Sequence, residues 1–488
     1  MNKVKVYSNI VLNTLNSILK IIFPLISYKY AAIVLGQDGV GTINYGSSII
    51  NYFVLLAGLG VSTYAIREGA KIRNNRVQIS DFASEVFTIN IIATIFSYIL
   101  LCICVCFIKD LNNITNLLVV QSTLIIFTTL SVEWVYSIYE DYGFIAIRNF
   151  ILQIIAIILM LCFVKDKNDY IIFAAIQVIA SSGAFLLNFI HVRKKVCIKI
   201  KLKSTLIKHL KPIIILFVNN IAVTLYVNSD TTMIGSMVSM SAVGIYSVSV
   251  RIYSLYKTII AAVIMAVLPN ISRYSDNHYV NQKNKIIIDT VEVIIFFMVP
   301  MIISTFIIGK ELIILTSSIE YLSSYTSLII LCFALIFSTV ASIFTVFYLI
   351  PLKLENYALM STLIAGIINI VLNFFLLPKY GFNAAAVTTL ISEFVVTIIN
   401  IAVIKKEHIV LFDVQKSCII FLKETIAAIP LFIIYYFVSK YFSNILVVLI
   451  LYFSIGGIVY VIIGYIFNIT IIKNIINNII KRLSGKKI

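Results

Sequence analysis

Four cations, Lys20, Lys29, Arg251 and Lys257, interrupt apolar stretches long enough to cross a bilayer. A charged side chain inside hydrocarbon is costly unless it faces protein or water. A chain that keeps cations at four such places is expected to enclose a positively charged cavity, and such a cavity suits an anionic ligand. Three carboxylates, Asp230, Glu393 and Glu133, also fall within such stretches, Asp230 near the outer third of its span and Glu393 mid-span. Desolvation favours the neutral form of a carboxylate, which fits a group that exchanges H+ or Na+, so all three are candidates for cation coupling. Glu133 and Arg148 are also placed to pair across the fourth and fifth apolar segments.

The elements that must position these groups are membrane helices. The chain is 61% hydrophobic and 12% charged, whereas a soluble domain is nearer half apolar and a quarter charged. Apolar runs of about 20 residues, the length of a bilayer-crossing helix, recur throughout. Spans are expected near 9–35, 42–66, 82–108, 114–139, 145–164, 169–192, 208–238, 241–269, 286–308, 322–350, 357–377, 382–404, 417–438 and 444–469. The expectation is an all-α membrane protein of about fourteen transmembrane helices. The apolar start lacks a small-residue cleavage site and reads as a retained first span.

Charge sets the orientation. Of the 38 Lys and Arg residues, most lie in the even-numbered connections and the two tails, and few lie in the odd-numbered ones. By the positive-inside rule both termini are cytoplasmic. This distribution also accounts for the net charge of +17 without nucleic acid, since no basic stretch is interleaved with stacking aromatics. The longest basic connection suggests four parts: an N-lobe over 1–192, a basic cytoplasmic linker over 193–211, a C-lobe over 212–405, and two further spans with a basic tail over 406–488. An internal echo agrees: Val40-Gly41 follows Leu35-Gly36, and Val243-Gly244 follows Ile234-Gly235, six spans later. An even separation makes the repeats parallel.

Residues 3, 4, 7 and 11 apart share a helix face. Asn13, Asn16, Lys20 and Ser27 form such a stripe in the first span, and Asn44, Ser48, Asn51 and Gly58 in the second. Asn219, Tyr226 and Asp230 align in the seventh span, Ser247, Arg251, Ser254 and Thr258 in the eighth, and Thr389, Glu393, Thr397 and Asn400 in the twelfth. Such residues line a watery cavity or bond helices together; Asn13, Asn16, Asn44, Asn51 and Asn219 are the candidate polar lining. Lys257 sits about 120° around the helix from Arg251. Lys29 lies near a span end, where a long side chain can snorkel. The seven cysteines and four histidines form no metal-spaced set, and there is no GxxxxGK[ST] phosphate loop. No metal and no cofactor are expected.

Ile33 to Arg73, Tyr226 to Gly235 with Val243 to Tyr246, and Leu377 to Glu393 together resemble bacterial polysaccharide repeat-unit flippases (Wzx type), members of the multidrug/oligosaccharidyl-lipid/polysaccharide exporter superfamily. The likeness runs from about residue 8 to 470. It implies two six-helix lobes in a V around a central cavity, plus two C-terminal helices, in the bacterial cytoplasmic (inner) membrane. It implies as cargo an undecaprenyl-diphosphate-linked oligosaccharide, moved from the cytoplasmic to the outer leaflet for O-antigen, capsule or exopolysaccharide synthesis. It implies as partners the lipid bilayer, H+ or Na+, and polymerase and chain-length proteins of the same pathway, with no enzymatic step. Lys20 and Arg251 best match the family's cationic lumen residues, followed by Lys257 and Lys29. A peptidoglycan lipid-precursor flippase and a cation-coupled multidrug exporter share the superfamily. A membrane glycan polymerase would call for a large external loop, which is absent from this reading.

Overall fold

The structure is a computed structural model that describes residues 23–193, 195–202, 206–273, 280–409, 413–467, 469 and 472–473. Among these residues there are helices and no strand. That is the outcome hydrocarbon imposes, because a helix satisfies its own backbone groups. In chain order the helices are α1 (Phe23–Val34), α2 (Gly36–Gly58), α3 (Val61–Ile72), α4 (Arg76–Phe107), α5 (Lys109–Asn112), α6 (Thr115–Ser131), α7 (Glu133–Ile138), α8 (Tyr142–Phe163), α9 (Tyr170–Ser182) and α10 (Phe185–Val192). They continue as α11 (Ile207–Met237), α12 (Met240–Arg273), α13 (Val280–Thr316), α14 (Tyr325–Phe344), α15 (Glu355–Tyr380), α16 (Asn383–Lys406), α17 (Val414–Ala428), α18 (Pro430–Tyr441) and α19 (Ile445–Ile466).

Eleven described spans are long and apolar enough to cross a membrane. A twelfth is reached if Ile207–Val218 and Val223–Met237, bent by 51°, form one broken span. Two shorter apolar helices, Phe23–Val34 and Ile147–Phe163, fall where the first and fifth spans are expected. The difference from fourteen therefore has a location. The expected first span begins at residue 9, outside the described residues, and the fifth corresponds to α8, whose side chains at 142 and 144–146 lie outside the description.

Local chemistry sets several boundaries. Asn75 caps α4 by accepting from the backbone N–H groups of Val77 and Gln78, satisfying two of the donors a helix start leaves open. Asp413 and Asn444 each accept one backbone N–H, from Lys416 and Leu446, at the starts of α17 and α19. The second span is broken at Leu59 and Gly60, both left-handed with φ of 44° and 74°. A Cβ on Gly60 would also stand 3.0 Å from Leu216 Cβ, so this turn needs glycine for both conformation and space.

The chain divides into two compact units. One comprises the residues up to Ser247 together with Asn373–Phe382; the other comprises Val248–Leu372 together with Asn383 onward. In the first, α2 packs on α4, α6 and α11; in the second, α14 packs on α16, and α13 on α17. One end of the first unit closes over Tyr64, Phe82, Trp134, Tyr136, Val192 and Ile213. There His209 Nδ1 meets the Tyr64 hydroxyl at 2.7 Å, and its Nε2 meets Glu85 Oε2 at 2.8 Å.

Residues 195–202 of the basic connection run along α4. Their alternate backbone N–H groups, from Cys197, Lys199 and Lys201, donate to the hydroxyls of Ser80, Ser84 and Thr88 at 3.1, 3.0 and 2.9 Å. Hydroxyls four residues apart share a helix face, while alternate residues of an extended chain point the same way. The two periods meet in a ladder of backbone-to-side-chain bonds. Lys201 pairs with Asp81, and Lys195 Nζ donates to Asp141 Oδ2 at 2.5 Å.

The echoed glycines pack against each other inside the first unit. A Cβ on Gly41 would lie 1.7 Å from Met240 O, and one on Gly244 would lie 2.1 Å from Gln37 O. On α11, a Cβ on Gly235 would strike the Tyr45 ring at 2.2 Å. These glycines let helix backbones approach as small residues do in membrane bundles.

Candidate functional site

In the first unit Asp230 is buried, and three helices converge on it. Its Oδ2 accepts from the Tyr246 hydroxyl at 2.9 Å, and its Oδ1 from Asn373 Nδ2 at 2.7 Å. α11 supplies the acid, α12 the phenol, and the end of α15 the amide. The two bonds hold the carboxyl group between three helices.

The second-span stripe faces the same helix. Ser48 Oγ lies 2.9 Å from Thr232 Oγ1, Tyr52 reaches the same hydroxyl at 3.3 Å, and Asn51 Nδ2 donates to Asn228 Oδ1 at 3.2 Å. These residues bond α2 to α11. Asn44 Nδ2 is buried without a hydrogen-bond partner. Asn219 lies on α11, but its side chain is outside the description, and Asn13, Asn16 and Lys20 precede the described residues.

In the second unit Lys257 Nζ donates to Glu393 Oε1 at 2.9 Å, and the Tyr253 hydroxyl donates to the same oxygen at 3.2 Å. The ammonium also stands 5.3 Å from the Tyr253 ring centroid, within cation–π range. The Glu393 side chain is 7% exposed and that of Lys257 39%. Two further residues of the twelfth-span stripe, Thr397 and Asn400, bond α16 to α14. Thr397 donates to Phe337 O at 2.9 Å, and Asn400 Nδ2 to Ala341 O at 3.3 Å and Thr345 Oγ1 at 3.1 Å. Thr345 opens a π-helical turn, Thr345–Leu349, so Asn400 ties α16 to the point where α14 passes into that turn.

A polar cavity of about 240 Å³ lies within the first unit. Glu133, Trp134, Arg148, Asn90 and Asn188 line it, with six serine and threonine hydroxyls from three helices. Arg148, nearly buried on α8, donates from Nη2 to Glu133 Oε1 at 2.7 Å, while its Nη1 meets Asn188 Oδ1. The expected pairing of Glu133 with Arg148 is present. The Trp134 Nε1 is buried and makes no hydrogen bond. A second cavity, of about 520 Å³, lies in the second unit between α12, α13, α18 and α19, lined mainly by apolar and aromatic side chains such as Phe296, Leu431 and Phe453.

Of the remaining cations, Lys29 on α1 belongs to the first unit and Arg251 on α12 to the second; both are half-buried. Sequence reasoning found each acid but missed its neutral partners: Tyr246 and Asn373 for Asp230, Tyr253 for Glu393, and Asn188 for Arg148. Tyr246 had a signal, since it closes the Val-Gly-Ile-Tyr segment of the echo. Trp134 had another, as the single tryptophan of the chain, adjacent to an intramembrane acid.

These features define a multi-pass helical membrane protein with polar clusters inside its bundles. A family model described as "Polysaccharide biosynthesis protein" matches residues 6–275, more than half of the chain. The chain belongs to that family. Among solved structures it is similar to a lipid II flippase MurJ in an inward closed conformation, with a TM-score of 0.69 and 19% identity, over 94% of this chain and 98% of that one. It is also similar to an inward-facing multidrug resistance MATE family transporter of the MOP superfamily, with a TM-score of 0.60 and 12% identity, over 82% of this chain and 98% of that one. The fold is the one these exporters share. No curated protein matches the sequence.

Proposed function

We propose that this protein is a Wzx-type flippase that moves undecaprenyl-diphosphate-linked oligosaccharide repeat units from the cytoplasmic to the outer leaflet for surface polysaccharide synthesis. The observation that carries the reading is a polysaccharide-biosynthesis family match over residues 6–275 on a chain whose fold follows a lipid flippase along 94% of its length.

In this reading the diphosphate rests near Lys20 and Arg251, with Lys29 and Lys257 contributing to the positive field. Cation–phosphate hydrogen bonds are strong, and low local dielectric strengthens them. With the cell interior negative, each negative charge carried outward gains about 2.3 kcal/mol per 100 mV. Glu393 and Glu133 are each held by a cation, Lys257 and Arg148. We assign H+ or Na+ coupling to one of the three intramembrane carboxylates, Asp230, Glu393 or Glu133; at Asp230 the Tyr246 hydroxyl and the Asn373 amide donate to the carboxyl oxygens.

The test is the double substitution Lys20→Gln with Arg251→Gln in a strain that depends on this chain for surface polymer. Loss of the polymer at unchanged protein abundance is expected; polymer at the wild-type level overturns the assignment. The likeness to a lipid II flippase favours a second reading, transport of a peptidoglycan lipid precursor. Rescue of a strain depleted of that activity would select it.

A further inference from the structure

The cavity beside Trp134 has no part in the diphosphate and ion scheme. We propose that it is a subsite for one neutral sugar ring. The inference rests on the flippase reading for the source of that sugar, an oligosaccharide cargo, and on its own geometry for the rest.

Charge comes first. Arg148 and Glu133 neutralise each other at 2.7 Å, and the remaining polar groups are hydroxyls and amides. A site with no net charge has little pull on a free ion or on a phosphate. The hydrogen-bond inventory is next. Thr128, Ser131 and Ser181 donate their hydroxyl protons to backbone carbonyls of their own helices, at Leu124, Thr128 and Val178. What they have left for the cavity is lone pairs. Glu133 adds carboxylate oxygens, and its side chain is 53% exposed, so the cavity is open on that side. Trp134 also lines the cavity, and its indole N–H makes no hydrogen bond. A buried tryptophan N–H ordinarily has a partner.

The missing ligand should thus be rich in O–H donors, carry some acceptor oxygens and bear no charge. That is the description of a neutral pyranose. The volume agrees in scale: 240 Å³ is far more than a single water needs, room for a sugar ring. A pocket between rigid helices with a few convergent polar groups is the usual form of a small-molecule site.

The chain carries its own reporter, because Trp134 is its single tryptophan. The full-length protein in lipid nanodiscs is titrated with glucose, galactose, N-acetylglucosamine and N-acetylgalactosamine, with glucuronate as the charged control, and indole emission is read. A saturable change with at least one neutral sugar is expected. Ser182→Leu, which fills the cavity, should shift its midpoint tenfold or more. Ser62→Val, at an exposed lining position, is the second variant should the first fail to fold. No response to any sugar, a response to glucuronate alone, or an unchanged response in the folded variants overturns the subsite. Surface polymer is scored separately with the same protein. Polymer without an emission change removes this subsite and leaves the transport reading standing; an emission change without polymer does the reverse.

Discussion

Lys257 and Glu393, 136 residues apart in the chain, meet at 2.9 Å. Neither had a partner in sequence. The ion pair leaves each charge matched by the other, and Tyr253 secures the shared carboxylate oxygen. Lys257 keeps 39% of its side chain exposed, so this cation is tethered without being sealed away.

The pair should show coupling in a double-mutant cycle. Removing one member of a fully buried pair costs about 3–5 kcal/mol; the exposure of Lys257 reduces that here. Glu393→Leu and Lys257→Met should each lower the unfolding temperature of the purified protein, and the double variant should be more stable than their sum. Strict additivity would show that the contact carries no energy.

Asp230→Asn preserves shape and removes charge. Hydrogen bonds to charged groups contribute about 1.5–3 kcal/mol, so a moderate loss of stability is expected with the chain still folded. If ion coupling resides at this residue, transport of a fluorescent lipid-linked oligosaccharide in proteoliposomes loses its response to an imposed H+ or Na+ gradient. A variant with the wild-type gradient response refutes the coupling role.

Gly41→Ala and Gly244→Ala each place a methyl within 2.1 Å of a backbone oxygen. Overpacking of this kind costs about 1–3 kcal/mol, and neither carbonyl moves without its helix. The yield of monodisperse protein should fall for both. Gly457→Ala, where nothing lies within 4 Å, is the neutral control.

The linker ladder can be cut from the helix side. Replacing Ser80, Ser84 and Thr88 by Ala, Ala and Val removes three acceptors, each of about 0.5–1.5 kcal/mol. Trypsin should then cleave faster at Lys199 and Lys201, with the helical bundles intact by circular dichroism. An unchanged cleavage rate would mean that other contacts hold the segment.

What could be read in the sequence follows from periodicity. The stripes on α2, α11 and α16 were visible because polar residues 3, 4 and 7 apart must share a face. Whether that face meets water or another helix is not encoded in the spacing. Ser48, Asn51, Thr397 and Asn400 prove to bond helix to helix. The neutral residues around Asp230 and Glu393 were hidden for a different reason: Asn373 and Tyr253 lie 143 and 140 residues from their acids, and Asn and Tyr are too common to stand out. The linker announced itself as basic and cytoplasmic, yet a charge pattern says nothing of where backbone N–H groups go.

Gly41 faces the carbonyl of Met240, four residues before Gly244, and Gly244 faces that of Gln37, four residues before Gly41. Each glycine therefore meets the other helix at the equivalent position. This is the reciprocity of a contact between two copies of one surface, realised inside a single chain. Both positions guard one shared approach, and contacting residues do not add. Once a first methyl has forced α2 and α12 apart, a second finds the space already open. The Gly41→Ala, Gly244→Ala double variant should consequently fare little worse than either single one.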